Sequence, residues 1–259
     1  MQVIIYLILI LMIVRMFLMN KRTKKSKKLI DVVNSVGDKE EFFENVKQFE
    51  EEMKDDAEFL NKGRVIHLWG MAFHEAYTDF DDLLSLIDVE AMIRKDKNGI
   101  VDISENEDAF FYLYLGIPNI LEKNGMHAYR EKLKQKMDTY SDVLGKHLVK
   151  VLGDAIDSFY EKEGDRGLSF YEEVLAGDYG EYTYSKSLIG LYKSIANAHA
   201  AVIYKETGAS EKYQESVPML ENFAKSGIGE RWLQQLGLQI EKPEEEEVFD
   251  VEEGEKEEK

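Results

Sequence analysis

Two kinds of apolar patterning divide the chain. Val3 to Met19 form an almost unbroken apolar run, interrupted only by Arg15, and the segments beyond it place apolar residues three and four positions apart. The second spacing is that of helices with one buried face. Phe42, Phe43, Val46, Phe49 and Met53 predict a helix beginning near Asp38; Val65, Leu68, Trp69, Ala72, Phe73 and Ala76 predict the next. Leu144, Leu148, Val151, Leu152, Ala155, Ile156 and Phe159 predict a third, with further helices over Leu83–Ile93 and Asp108–Leu115. Strand-like alternation is almost missing, so the expected class is all-α, with a small β-hairpin near 92–103 as the one exception.

Three helix stops share a pattern, ending at Gly125, Gly164 and Gly208, spaced by 39 and 44 residues. Glycine there can take the left-handed conformation that closes a helix. Each stop is followed by a helical segment with an early aromatic, Tyr129, Phe170 or Tyr213, which is the pattern of stacked helical hairpins.

The apolar run reads as a membrane anchor over residues 1–20. Seventeen residues span roughly 25 Å as a helix, a little short of a hydrocarbon core of ~30 Å. Arg15 can snorkel at the inner end, and Lys21, Arg22, Lys24, Lys25, Lys27 and Lys28 follow at once. Basic residues after the run and none before it predict a single-pass protein of the cell membrane, N-terminus outside, with its body in the cytoplasm. A cleaved secretory signal would carry its charge in front. The expected order is anchor 1–20, basic juxtamembrane linker 21–37, helical domain 38–240 and acidic disordered tail 241–259.

Charge sharpens this picture. The net charge is −18, and residues 29–240 alone hold −17 while residues 241–259 hold −8. So acidic a body disfavours nucleic acid, favours a basic protein partner and is repelled by anionic lipid. The chain has no cysteine, which removes disulfides, thiolate catalysis and cysteine-ligated zinc. No nucleophile elbow, phosphate-binding loop or dinucleotide fingerprint occurs, and no cofactor is expected.

Tyr112, Leu115, Gly116 and Ala128 fall at the spacings of the tetratricopeptide-repeat signature, and the turns Tyr160–Gly164 and Tyr204–Gly208 are similar to its inter-helix turn. The chain thus resembles tetratricopeptide-repeat proteins over residues 106–225, with Lys132 in a slot the family fills with a large apolar residue and its closing proline missing. The resemblance implies a concave surface that binds a peptide or protein partner.

Asp96, Asn98, Gly99, Ile100, Asp102 and Glu105 stand at EF-hand spacing, and this segment resembles an EF-hand calcium loop whose opening aspartate is replaced by Arg94. The resemblance implies calcium ligands at Asp96, Asn98, Ile100, Asp102 and Glu105. The same letters suit a tight turn on Asn98-Gly99 between short strands, with Ser104 and Glu107 as a capping box for the following helix.

His67 and His74 lie two helical turns apart, too far to share one metal, and they stand with Asp79, Asp81 and Asp82 as raw material for catalysis. Of the aromatics, Tyr112, Tyr182 and Tyr184 are candidates for a partner groove. The expected function is a membrane-tethered helical adaptor or scaffold; a calcium-responsive sensor and a membrane-anchored enzyme are the alternatives.

Overall fold

The computed structural model describes residues 21–95, 101–179, 182 and 184–239. The anchor run with Arg15, the loop residues Asp96, Asn98 and Ile100, and the acidic tail lie outside the described residues. No described helix is long and apolar enough to cross a membrane. Among the described residues the regular structure is helical apart from one two-stranded sheet, as the spacing of apolar residues predicts.

Residues 21–34 form helix α1, not an open linker, and Leu29 and Val32 bury its inner face. A turn of 3₁₀ helix at Ser35–Gly37 leads to α2 (Lys39–Glu52), which Asp38 caps by accepting the N–H groups of Glu40 and Glu41. Helix α3 (Ala57–Phe73) starts on Asp56, whose side chain accepts the N–H of Phe59.

The α2–α3 contact is a seam of two phenylalanines set into two glycines. Phe42 and Phe49 lie seven residues apart on α2; Gly70 and Gly63 lie seven apart on α3. A Cβ added to Gly70 would come within 1.9 Å of the Phe42 ring, and one added to Gly63 within 2.8 Å of Phe49. The order of the pairs makes the helices antiparallel. Trp69 meets Phe42 edge-on with ring centres 6.2 Å apart. These glycines sit in a helix interior, where the residue costs helix stability; here that cost is offset by close packing.

Helix α4 (Phe80–Leu86) ends sooner than the apolar spacing predicts. Arg64 donates to the Leu86 carbonyl at 2.6 Å, the Asp88 N–H donates to Asn61 Oδ1 at 2.7 Å, and the Asp88 carboxylate receives the N–H groups of Glu90 and Ala91. That side-chain capping starts a separate 3₁₀ turn, Glu90–Met92. Strands β1 (Arg94–Lys95) and β2 (Val101–Asp102) then pair antiparallel, Arg94 opposite Asp102, giving the expected hairpin in shorter form.

Helix α5 (Glu107–Phe111) runs through a π turn, Tyr112–Gly116, into α6 (Ile117–Lys123) without leaving helical backbone angles. The Ile117 N–H reaches back five residues to the Tyr112 carbonyl. Helices α7 (His127–Asp138), α8 (Ser141–Leu144), α9 (Leu148–Glu161) and α10 (Leu168–Ala176) follow. The single helix expected from Leu144 onward is broken at Gly145, whose φ of +53° ends α8, and His147 caps a new start.

The glycine stops are confirmed at two of three ends. Gly125 has φ +68° while the Met126 N–H returns to the Leu121 carbonyl at 2.8 Å; Gly208 has φ +75° while the Ala209 N–H returns to Tyr204 at 2.9 Å. At the third, Lys162 takes the closing position with φ +57° and the Glu163 N–H returns to Ser158. Gly164 lies two residues further on.

The chain divides into two compact units at Tyr192/Lys193, within α11 (Lys186–Thr207). In the second unit, α12 (Ser210–Ala224) and α13 (Gly227–Gln235) enclose His199, which accepts the Trp232 indole N–H at 3.2 Å, and Asn197 donates to the Ser216 carbonyl at 3.0 Å.

Gly70→Ala should force the Phe42 ring out of its notch and lower stability by about 1–3 kcal/mol in urea unfolding. Lys162→Gly should raise it by about 0.5–1 kcal/mol, because the strained left-handed residue is relieved.

Candidate functional site

Helix α1 carries the basic collar, and its faces differ. Arg22, Lys25 and Lys28 recur every three residues and turn toward the body. Arg22 pairs with Glu58 at 2.5 Å and with Glu105 at 2.8 Å, Lys25 with Asp56, and Lys28 with Glu52 at 2.5 Å. Arg22 and Lys25 also lie over the Phe59 ring, at 5.4 and 5.5 Å from its centre. Lys24 and Lys27 are exposed on the other side of the helix, and no described acid lies within ion-pair distance of either.

The acids that receive α1 belong to the end of α2, the start of α3 and the loop before α5. Glu58 is shared between Arg22 and Arg94, the latter at 2.9 Å. Burial, the largest single influence, raises the pKa of its carboxyl, but the hydrogen bonds and charges of Arg22 and Arg94 together outweigh it and hold the pKa below the ordinary value. Glu105 accepts Arg94 at 2.5 Å as well as Arg22. In the EF-hand-like numbering Arg94 opens the loop and Glu105 closes it, so a guanidinium is paired with the carboxylate expected to hold an ion. Asp102, the other described candidate ligand, accepts the Ser104 N–H at 2.8 Å, and Ser104 holds its carboxyl below the ordinary value. Among the described residues no group of three or more histidines and carboxylates is arranged to hold a metal ion.

The expected Ser104–Glu107 capping box is not formed. Glu107, the first residue of α5, turns into the interior at 5 % exposure, and Asn106 occupies the cap position. Glu107 Oε1 accepts the Tyr192 hydroxyl, and Oε2 lies 3.4 Å from His147 Nε2. His147, 5 % exposed, uses Nδ1 to accept the Val149 N–H at 3.4 Å. That acceptor role leaves the proton of the neutral ring on Nε2, facing the carboxylate. Tyr192 is fully buried, and burial together with the Glu107 charge raises its pKa far above the usual tyrosine value.

Tyr182 and Tyr184 cover this network rather than forming an open groove. Their ring centres lie 4.9 and 5.1 Å from His147; the Tyr182 hydroxyl donates to the Leu144 carbonyl at 3.0 Å, and the Tyr184 hydroxyl accepts the Leu148 N–H at 2.8 Å. Tyr112 lies elsewhere, its ring 5.0 Å from Trp69. His67 pairs with Glu50 at 2.9 Å, while His74 packs among Phe42, Phe43 and Phe73; the two histidines share only Phe43, at 5.7 and 5.8 Å. Asp81 pairs with Lys132, Asp79 is the cap residue before α4 and Asp82 lies in its first turn.

Cavities of very different size lie among the described residues, including one of about 300 Å³ beside Leu233, Gln234 and Leu238. One between Tyr114, Arg130, Asp157 and their neighbours measures about 20 Å³, the size of a single water. A surface groove of about 280 Å³ runs between α1 and α2, lined by Lys28, Asp31, Val32, Asn45, Gln48, Phe49 and Glu52.

Comparison with protein-family models, curated proteins and solved structures finds no match. Sequence reasoning missed Glu107 and His147 because their meeting depends on residues 40 apart in the chain; the one local signal was a histidine directly before an apolar helix start.

Glu107→Ala should cost about 2–4 kcal/mol in urea unfolding, since it leaves the His147 N–H and the Tyr192 hydroxyl buried without an acceptor. Tyr192→Phe added to Glu107→Ala should cost less than the sum of the single changes. The lowered Glu58 pKa gives the clamp a pH dependence. Its stabilisation is complete above the unfolded glutamate pKa of about 4.3 and is lost as pH falls through the folded value. Hydrogen exchange in residues 21–34 should therefore accelerate, relative to α3, on acidification below about pH 4, and Glu58→Gln should show the faster exchange already at pH 7.

Proposed function

We propose that this protein is a single-pass, membrane-tethered helical adaptor that holds an acidic cytoplasmic domain close to the bilayer and presents it to a basic protein partner. The observation that carries this reading is the position of α1. Residue 21, two residues beyond the end of the apolar run at Met19, is already helical, and this helix is pinned to the body by Arg22, Lys25 and Lys28. An anchor joined to such a helix leaves almost no slack. Tethering of this kind raises the effective concentration of the domain toward anything already at the membrane, and a short connection raises it more than a long one.

The charge of −17 over residues 29–240 favours a basic partner and a fast, salt-sensitive encounter.

The tether is tested by fractionation of the full chain from its own cells. The expected result is a membrane pellet that resists alkaline carbonate, and release into the supernatant by the double change Leu9→Arg, Leu11→Arg, each arginine costing about 2.5–3.5 kcal/mol at a helix centre. A wild-type chain extracted by carbonate would overturn it. Partner binding is tested by crosslinking the full chain in native membranes: the expected product is one reproducible basic protein whose yield falls several-fold in 0.5 M NaCl, and the lack of any such product refutes the adaptor reading.

A further inference from the structure

The collar sits where two electrostatic problems meet. A body carrying −17 is repelled by the anionic surface of a cytoplasmic leaflet, and the acids nearest to α1 are Glu52, Asp56, Glu58 and Glu105. Each of these four already has a collar side chain on it. Arg22 takes Glu58 and Glu105, Lys25 takes Asp56 and Lys28 takes Glu52. The six basic residues at 21–28 are therefore not one undivided patch.

We infer that α1 is a two-sided electrostatic adapter: its inward stripe, Arg22, Lys25 and Lys28, neutralises the acids of the body beside the membrane, and its outward stripe, Lys24 and Lys27, binds the anionic headgroups of lipids. This rests on the tethered reading above and names the second thing that the collar holds. Three observations support it. Lys24 and Lys27 are exposed, and neither forms an ion pair with a described acid. The apolar run stops at Met19, so along a helix from residue 21 the outward lysines lie within about 10 Å of its first turn, comparable with the depth of a headgroup layer plus a lysine side chain. The outward face also changes character with distance from the anchor: Lys24 and Lys27 come first, then Ile30 at 57 % exposure.

Charge counting then differs from what composition suggests. At ~1 kcal/mol for each basic residue at an anionic surface, six free cations would hold the domain flat against the lipid. Two outward lysines instead fix which side of α1 faces the headgroups and leave the body free to meet a partner.

The experiment uses the full chain reconstituted in vesicles of phosphatidylcholine alone or with phosphatidylserine at about one third, labelled with a small neutral amine reagent and read by mass spectrometry. Lys24 and Lys27 should label at least threefold more slowly on phosphatidylserine vesicles, recovering in 0.5 M NaCl, while the exposed Lys47 on α2 labels equally on both. Lys24→Gln with Lys27→Gln should leave the unfolding midpoint unchanged, whereas Arg22→Gln with Lys25→Gln should lower it. Equal labelling of Lys24 and Lys27 on the two vesicle types overturns the proposal, as does a lower midpoint for the Lys24, Lys27 pair. Flotation of the same samples separates this from failure of the tether: a chain that does not float with neutral vesicles refutes the anchor, and one that floats with both but labels equally refutes only the lipid-binding stripe.

Discussion

The seam of Phe42 and Phe49 against Gly70 and Gly63 sets the frame of the first unit. Helix α3 is buried on nearly all sides, from Phe59 through Val65, Leu68 and Trp69 to Ala72, and so needs a closely fitted neighbour rather than a loosely covered one. Two glycines let α2 approach to ring-against-backbone distance, and two phenylalanines fill the notches. Once α2 and α3 are locked in register, Glu52 at the end of one and Asp56 and Glu58 at the start of the other form a single acidic corner. Helix α1 docks on that corner, so the ionic clamp is downstream of an apolar fit.

The buried polar groups of the unit follow a different logic. Glu107 at the start of α5, His147 at the cap of α9 and Tyr192 in α11 each supply what another lacks: an acceptor, a donor, a hydroxyl. Such a network is costly when incomplete and specifying when satisfied, because the donor and acceptor positions admit few alternative packings. Lys62, also buried, reaches Asp108 at 2.9 Å and ties α3 to the same turn of chain. The turn from Asp102 to Asp108 is thus held from several directions at once, by Arg22, Arg94, Lys62, His147 and Tyr192.

Much of the fold was legible in the pattern of apolar spacing: α2 and its cap at Asp38, the core of α3, the bulk of α9, the short hairpin and two glycine stops. What the pattern did not disclose has physical causes. Gly63 and Gly70 look like interruptions in a helix because their value lies in a partner ring that only the fold brings near. Lys162 closes a helix with a glycine two residues away, since local hydrogen bonding can hold a lysine in a left-handed turn. Glu107 carries the spacing of a capping residue, but two buried donors outbid the exposed backbone N–H. The collar was legible as a cluster and not as two stripes, because the division depends on which side of α1 the acids of α3 occupy.

The π turn at Tyr112–Gly116 has a consequence for how the two ends of this helix are aligned. A π turn holds one residue more than the α turn it replaces, so it resets the angular phase of everything after it by about 100°. On one side of it Glu107 points at His147 and Tyr192; on the other Asn119 accepts the Tyr160 hydroxyl at 2.5 Å. Those two attachments are set in a phase that an uninterrupted α-helix does not provide. The extra residue acts as a vernier between them, and removing one residue from the turn would leave either end able to dock only by releasing the other.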